Sequence, residues 1–448
     1  MTPYCMRSKH SGKVPDMPAF GFVADDLTGA ADVLAQAHRY GLEAALVIGD
    51  APLPTDVDVV GFAGPARSLS GAAFDTLVGR DLAGIAALNL DVLLYKVCST
   101  FDSSPTLGSI GRGIELLHEQ FPLHGAVPVV PAQPGFGRYT AFSNHYATYS
   151  GQVYRLDRHP VMSRHPSTPM SEADLREVLA GQLASGTGPG AIHLPAYADG
   201  TFKDAWAERR REQGAQAFVV DAVDELHMDA VAEALTREEH GHGPSLVVGS
   251  GGIMAALAKT VSDHAPAGPG PQQASGPALA VSASASSTTA NQISDAVEHG
   301  WVEVPVPAEL LARHDPELVA ALDKRVAAEL LAGNNVVVHT TRGAADPRYG
   351  AGKPVDAGYV GTLIGGIAAR TAAAGLTRDI AVCGGDTSSH ALIAMGVRQL
   401  RVSSQFVTAG PVLRADGASA VAGCRLLLKG GQVGPIDILR RFAGEPLN

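Results

Sequence analysis

Cysteine is scarce. The four in 448 residues, Cys5, Cys98, Cys383 and Cys424, lie far apart and form neither a CxxC pair nor a zinc spacing. That spacing argues against a disulfide framework or metal knuckle and fits a reducing, cytoplasmic setting. Long apolar runs are also missing. No stretch approaches the roughly 18 uninterrupted apolar residues of a membrane span. Residues 1–18 hold basic side chains without the apolar run of a signal peptide, so they read as a disordered tail. Positive charge is in deficit: 34 Lys plus Arg stand against 45 Asp plus Glu, a net charge of −11. An acidic surface without basic clusters argues against nucleic acid or an anionic membrane as partner and leaves small molecules. The chain also lacks a Walker A loop and a GxGxxG fingerprint, and no internal repeat punctuates it.

What is present suits a large folded core. Hydrophobic residues make up 46% of the chain and charged residues 18%, so disorder is excluded. Short β-rich apolar runs alternate with helical stretches from Ala19 onward, the pattern of α/β domains with largely parallel sheets. Residues 138–169 read as an irregular segment, long enough to be functional. Residues 262–277, SDHAPAGPGPQQASGP, are the best linker in the chain, and the alternation restarts after them. The expected organisation is one domain over 19–261 and a second over 278–448, with the active site in the cleft between them.

In α/β sheets the chemistry collects in loops that follow strands at their carboxyl edge. In the N-terminal half, ADDLTGA places Asp25 and Asp26 after a strand and ahead of a helix. Capping explains one aspartate but not two. Lys96 ends the strand DVLLYK and precedes the polar loop CSTFDSSP, which carries Ser99, Thr100 and Asp102. A lysine there suits an anionic substrate. Arg67 and Arg138 also follow strand-like runs, and two cations can grip one carboxylate. His159 and His165 are separated by six positions with prolines beside them, which fits no common helix-borne metal motif and favours contacts from a substrate lid over zinc. Cys98 has no positioned base in the sequence, so a thiol nucleophile is not expected.

The C-terminal half carries four small, polar loops after strands: SASASSTT with Ser284 and Ser286, HTTRG, CGGDTSSH with Gly384, Gly385, Asp386 and Thr387, and KGGQVG with Gly430 and Gly431. Any one is a tight turn with a helix cap. Together they describe a nucleotide site, since helix N-termini and glycines let backbone N–H groups approach phosphate.

The motifs ADDLTGAAD, YKVCSTFDSSPTLGSIG, SASASSTTANQI, CGGDTSSHA and LLLKGGQVG, in that order from about Phe20 to about Asp437, resemble the four-carbon acid sugar kinases, a family formerly known as a domain of unknown function. The resemblance implies an N-terminal sugar-acid-binding domain and a C-terminal nucleotide-binding domain, with ATP and Mg²⁺ phosphorylating a hydroxyl of a 3-oxo-tetronate-, threonate- or erythronate-like acid. It implies ATP contacts at Ser284, Ser286, Gly384, Gly385, Asp386, Thr387, Gly430 and Gly431. On the acid side it implies Asp25, Asp26 and Lys96 as catalytic groups, with Asp26 the preferred base, and Arg67, Ser99, Thr100, Asp102 and Arg138 as substrate contacts. The chain departs from the family at Cys98 and Asp102, where many members carry aspartate and arginine, at Ala283, usually glycine, and in GGQVG, usually SGNFG. Two other readings stay open: a sugar-acid-binding regulator on the same fold, and an NAD-dependent oxidoreductase, which the missing GxGxxG disfavours. Sequence names no metal ligands, and it leaves monomer and homodimer open.

Overall fold

The computed structural model describes residues 18–165, 167–186, 188–237, 243–270, 272–343, 346–348 and 356–446, except for the side chain of Asp386. The expected tail is thus almost wholly outside the described residues.

Eighteen strands are named in chain order. The first half holds β1 (Phe20–Ala24), β2 (Ala44–Val47), β3 (Val59–Ala63), β4 (Val92–Lys96), β5 (Val127–Val130), β6 (Arg138–Ala141), β7 (Asn144–Tyr149), β8 (Gln152–Arg155), β9 (Gly190–Ile192), β10 (Ala217–Val220) and β11 (Ser245–Gly249). The second half holds β12 (Ala278–Ser282), β13 (Val302–Pro305), β14 (Val336–His339), β15 (Asp379–Cys383), β16 (Gln399–Val407), β17 (Gly410–Ala415) and β18 (Arg425–Lys429). β1, β3, β4, β11, β12 and β15 are buried along their whole length, which is why they read as unbroken apolar runs rather than alternating ones.

Fifteen strands form one continuous sheet in the order β13-β14-β12-β15-β18-β17-β16-β2-β3-β1-β4-β11-β5-β10-β9. Each domain contributes a parallel block, as the sequence pattern indicates. The blocks are not separate sheets, however. The ribbon β16–β17, which sequence reading did not place, pairs antiparallel with β18 on one side and with β2 on the other. One buried apolar core follows the join, from Phe22 and Leu34 to Leu413 and Leu426.

The antiparallel joints make the two parallel blocks run in opposite senses. Yet their carboxyl edges meet, and sheet twist accounts for it. β1 and β15 are six steps apart, and at about 20–25° per step the sheet turns roughly 120–150° between them, undoing most of the reversal.

The segment 138–169 is irregular only in its second half, after Arg155, so the sequence reading holds there and fails for 138–155. β6, β7 and β8 form a small antiparallel sheet in which Tyr139 faces Tyr146 and Ala147 faces Tyr154. Its first turn sits on Phe142 and Ser143, both with positive φ (49° and 63°), without the glycine or asparagine that normally announces such a hairpin. The Asp221 carboxylate holds that turn by accepting from the N–H groups of Phe142 (2.6 Å) and Ser143 (2.9 Å). A distant residue supplies what local sequence lacks.

Candidate active site

Three strand ends are stitched together on the N-terminal side. The Asp25 N–H donates to the Lys96 carbonyl (3.0 Å) and the Arg67 N–H donates to the Asp25 carbonyl (2.9 Å), so the turns after β1, β3 and β4 share one backbone frame. Asp26 caps the helix Leu27–Arg39. Its Oδ1 accepts from Gly29 N–H at 2.7 Å and also contacts Arg67, and its Oδ2 accepts from the Thr28 hydroxyl. Asp25 meets Arg67 side on: Nε donates to Oδ2 and Nη2 to Oδ1, each at 3.2 Å.

Asp25, Asp26, Arg67 and Lys96 are all buried. Their shared site splits the two carboxyls. Burial pushes Asp25 above the usual carboxylate range, and the adjacent Asp26 charge pushes it further, against the opposing pull of Arg67 and Lys96. Burial opposes ionisation of Asp26 as well, but Arg67, the Thr28 hydroxyl, Lys96 and the Gly29 N–H together hold it below the usual range. Asp26 is therefore engaged by the helix cap and the arginine. Lys96 donates to the Val97 carbonyl at 2.8 Å, and its ammonium stands 3.0 Å from where a Cβ on Gly29 would be. Only a glycine lets the helix start so close to it.

Arg67 is engaged by aspartates of this chain. Its guanidinium is taken up by Asp25 and Asp26, and Nη1 lies 3.9 Å from Asp102 Oδ2. Arg138 Nη1 donates to the carbonyls of Phe136, Gly137 and Thr148, and the charge of Asp102 acts on Arg138 as well as on Arg67. The loop after β4 folds on itself. The Thr100 hydroxyl donates to Asp102 Oδ1 (2.8 Å), and the Ser99 carbonyl accepts from His145 Nε2 (2.8 Å). Cys98 lies 3.1 Å from the Thr100 hydroxyl, and burial pushes its thiol up to about 12. A thiol held protonated is no nucleophile.

On the C-terminal side, Ser286 caps the helix Ser287–Glu298 by accepting from Thr288 N–H, and Ser284 Oγ accepts from Ser286 N–H (3.3 Å). The glycine loop packs directly on this turn: a Cβ on Gly431 would lie 3.0 Å from Ser284 Oγ and 3.2 Å from Ser286 Cβ. Thr289 donates to the Gly431 carbonyl (2.8 Å) and accepts from Lys429 (2.9 Å), which also reaches the Gly430 carbonyl (3.0 Å). Sequence reading passed over Lys429 because its motif is conspicuous for glycine. Fully buried, it is drawn down to about 8 by burial. Gln292 spans the carbonyls of Val433, Gly434 and Pro435.

The helix Asp386–Ala394 differs from its neighbour. Its N-cap is Gly385, which has no side chain to cap it, and of its first N–H groups that of Ser388 donates to the Gly385 carbonyl (3.1 Å). Gly384 takes φ 146°, and a Cβ there would stand 2.6 Å from Thr387 Oγ1. Thr387 is thus beside the loop, while the Asp386 side chain lies outside the described residues.

The two edges converge. A Cβ on Gly385 would sit 3.8 Å from Arg67 Nη1, Leu27 N–H donates to Ser389 Oγ (3.2 Å), and Ser68 Oγ lies 3.4 Å from His390 Nε2. The uncapped helix start therefore faces the arginine that binds the aspartate pair. The small sheet closes another side: Tyr149 OH is 3.3 Å from Ser287 Oγ, and Gln432 Nε2 is 3.5 Å from Met162 Sδ. Among the described residues, no group of three or more His, Cys, Asp or Glu side chains is arranged to hold a metal.

Comparison with known proteins bears on the same two halves. Residues 20–257 match the model of a sugar-binding N-terminal domain, and residues 279–439 match that of a nucleotide-binding C-terminal domain. A 3-oxo-isoapionate kinase of Paraburkholderia graminis is 35% identical over 92% of this chain and 91% of its own. A 3-oxo-tetronate kinase of Cupriavidus necator is 30% identical over 97% and 100%. A Haemophilus influenzae protein of known structure shares the fold, with a TM-score of 0.67 and 22% identity over 95% of this chain and 99% of that one. With both domain models matched in order along a single sheet, the chain belongs to the four-carbon acid sugar kinase family.

Proposed function

We propose that the protein transfers the γ-phosphoryl group of ATP to a hydroxyl of a small 3-oxo sugar acid, of the kind named for its relatives, 3-oxo-isoapionate or 3-oxo-tetronate. The observation that carries this reading is the approach of the uncapped helix start at Gly385 to Arg67 and its two aspartates. One feature suits phosphate oxygens and the other suits a hydroxyl that must lose a proton. They meet where the transfer would occur.

Asp25 is the base in this reading. A carboxylate whose pKa is raised, as that of Asp25 is by burial, is a stronger base toward the hydroxyl proton than one held down like Asp26. The hydroxyl oxygen attacks the γ-phosphorus as the bond to the β-phosphate oxygen breaks, and ADP leaves. Arg67 aligns Asp25, and Lys96 contributes positive charge beside it. Ser284, Ser286, Gly384, Gly385, Thr387, Gly430 and Gly431 line the nucleotide side, with Asp386 among them by position in the motif. Ser99 and Thr100 shape the acid side, and Asp102 orients Thr100. Mg²⁺ accompanying ATP needs only one or two carboxylates, since phosphates supply its other ligands. Asp102 Oδ2, 3.9 Å from Arg67 Nη1, would be one carboxylate oxygen for it, and the ion would neutralise phosphate charge. We place the domain boundary within 262–277, between the two matched regions.

The test is ADP release from ATP with a panel of 3-oxo-isoapionate, 3-oxo-tetronate, threonate and erythronate. Turnover with an acid and none without it supports the kinase. Binding without turnover would replace it with a regulator.

A further inference from the structure

Among the described residues of the sugar-binding half, five buried polar atoms have no hydrogen-bond partner: Gln216 Oε1, His227 Nδ1, Gln133 Oε1, Arg138 Nε and His159 Nε2, of which the last three belong together. Such atoms are rare in folded proteins and each costs stability unless something else occupies the site. These three are linked in the fold through β7, where the Thr148 carbonyl accepts from Arg138 Nη1 (3.3 Å) and the next residue, Tyr149, packs its ring against His159. Gln133 and Arg138 form an isolated antiparallel bridge, and Gln133 Nε2 donates to Asp32 Oδ1 (3.2 Å). Arg138 is held by three carbonyls and by the Phe136 ring, 4.7 Å from its guanidinium carbon. The charges of Arg138 and Asp102 both act on His159.

The protonation of His159 follows from its contacts. Its Nδ1 accepts from the N–H groups of Val161 and Met162, both at 3.1 Å, so in the neutral ring the proton is on Nε2. Burial and Arg138 push its pKa down to about 4, so the ring is neutral near pH 7. Tyr149 and Tyr154 fix it by edge contacts, with centroids 5.5 and 5.9 Å away. What remains is a rigid N–H donor, fully buried, with nothing to donate to. It cannot turn round to act as an acceptor, because the other nitrogen is already in use.

We propose that His159 is a specificity-determining residue of the kinase, its Nε2–H and the Arg138 Nε–H together binding the substrate's carboxylate. This rests on the kinase reading and deepens it. The carboxylate supplies acceptors for both orphaned donors, and Gln133 Oε1 remains for a substrate hydroxyl. Because Met162, three residues on, touches Gln432 of the nucleotide-side glycine loop, the donor sits on a segment that spans both halves.

The discriminating variant is His159→Asn. Its amide oxygen can take over the acceptor role of Nδ1, while the Nε2 donor is lost. With the acid that the unaltered enzyme turns over, KM for the acid should rise about ten- to a hundredfold, the loss expected for one hydrogen bond to a charged group. KM for ATP should stay within twofold. The primary amide of the same acid lacks the negative charge, so the unaltered enzyme should discriminate strongly against it and the variant much less. An unchanged KM for the acid overturns the assignment. So does an equal loss for acid and amide, which would mark a structural histidine. A melting temperature matched to the unaltered protein, and rescue of the unshifted Val161 and Met162 contacts by Asn but not by His159→Leu, separate misfolding from loss of the donor. If the unaltered protein turns over no acid of the panel, the kinase reading itself fails, whatever the variant does.

Discussion

At the scale of single residues, two neighbouring aspartates have been given different work. Asp26 has a short local task, capping a helix, and its oxygens are filled by Gly29, Thr28 and Arg67. Asp25 has Arg67 alone. Asp25→Asn should therefore lower kcat about 10²–10⁴-fold, the range for loss of a general base, with the dissociation constant for ATP unchanged. Asp26→Asn keeps a capping oxygen but loses a charged contact to buried Arg67. It should reduce stability by about 1–3 kcal/mol in urea denaturation while lowering kcat far less. A larger kinetic defect in Asp26→Asn would return the base to Asp26. His145, by contrast, carries a prediction about pH. It accepts from Thr140 at Nδ1 (2.9 Å) and donates to the Ser99 carbonyl, fully buried and neutral, with its pKa pushed down to about 4 by burial. The unfolded ring binds its proton near 6.5. Below that value the unfolded chain holds the extra proton, so the stabilisation present above pH 6.5 drains away as pH falls toward 4. The difference amounts to about 3 kcal/mol at most. Urea denaturation of the protein and of His145→Gln at pH 7 and 4.5 checks this: the variant should show a shallower acid dependence, and parallel curves would refute it.

At the scale of elements, the two nucleotide-side helices show how similar sequences are put to different uses. SASASSTT and CGGDTSSH both follow a strand and open a helix. The first is capped by its own serine; the second begins on glycine, without a side-chain cap from its N-cap residue. Gly384→Ala would place a Cβ against Thr387 Oγ1 in a backbone conformation that side chains rarely adopt. Its ATP dissociation constant should rise at least about tenfold, from disturbance of one charged contact or more, while acid binding measured calorimetrically stays the same. A proportional loss of both ligands would place Gly384 in the general packing instead. The small sheet β6–β8 was the element hardest to read. Its strands are polar and half exposed, and the Phe142–Ser143 turn depends on Asp221 from β10's end. Only its second turn, Ser150–Gly151, carries a hairpin signal in the sequence. Helices and central strands were legible because their burial imposes an unbroken apolar pattern.

At the scale of the whole molecule, two domains share one sheet and one core. The ribbon β16–β17 pairs with β2, and Gln405 from β16 donates to the Ala35 carbonyl of the helix Leu27–Arg39 (2.8 Å). Cooperative unfolding follows from this. The chain has two tryptophans, both buried, Trp206 in the first half and Trp301 in the second. Fluorescence of Trp206→Phe and Trp301→Phe reports each half alone, and each denaturation midpoint should coincide with the circular-dichroism midpoint of the same variant. Two separated steps within one variant would mean that the halves fold independently and the continuous sheet contributes little.

The amino-acid sequence by itself determined which residues stand at strand ends. Buried parallel strands must be apolar and their following turns must be small or polar, so Asp25, Asp26, Lys96, Ser284 and the glycines of CGGDTSSH and KGGQVG were marked by local pattern alone. It also carried the family, through the order of five motifs. Tertiary structure decided what those residues are for. That Arg67 meets both aspartates, and that burial raises one aspartate while contacts lower the other, depends on groups dozens of positions apart brought within a few ångströms. That two blocks of opposite strand direction present their carboxyl edges to a single cleft depends on twist accumulated across the sheet. Charge pairing and twist are sums over neighbours in space, and the linear sequence does not list those neighbours.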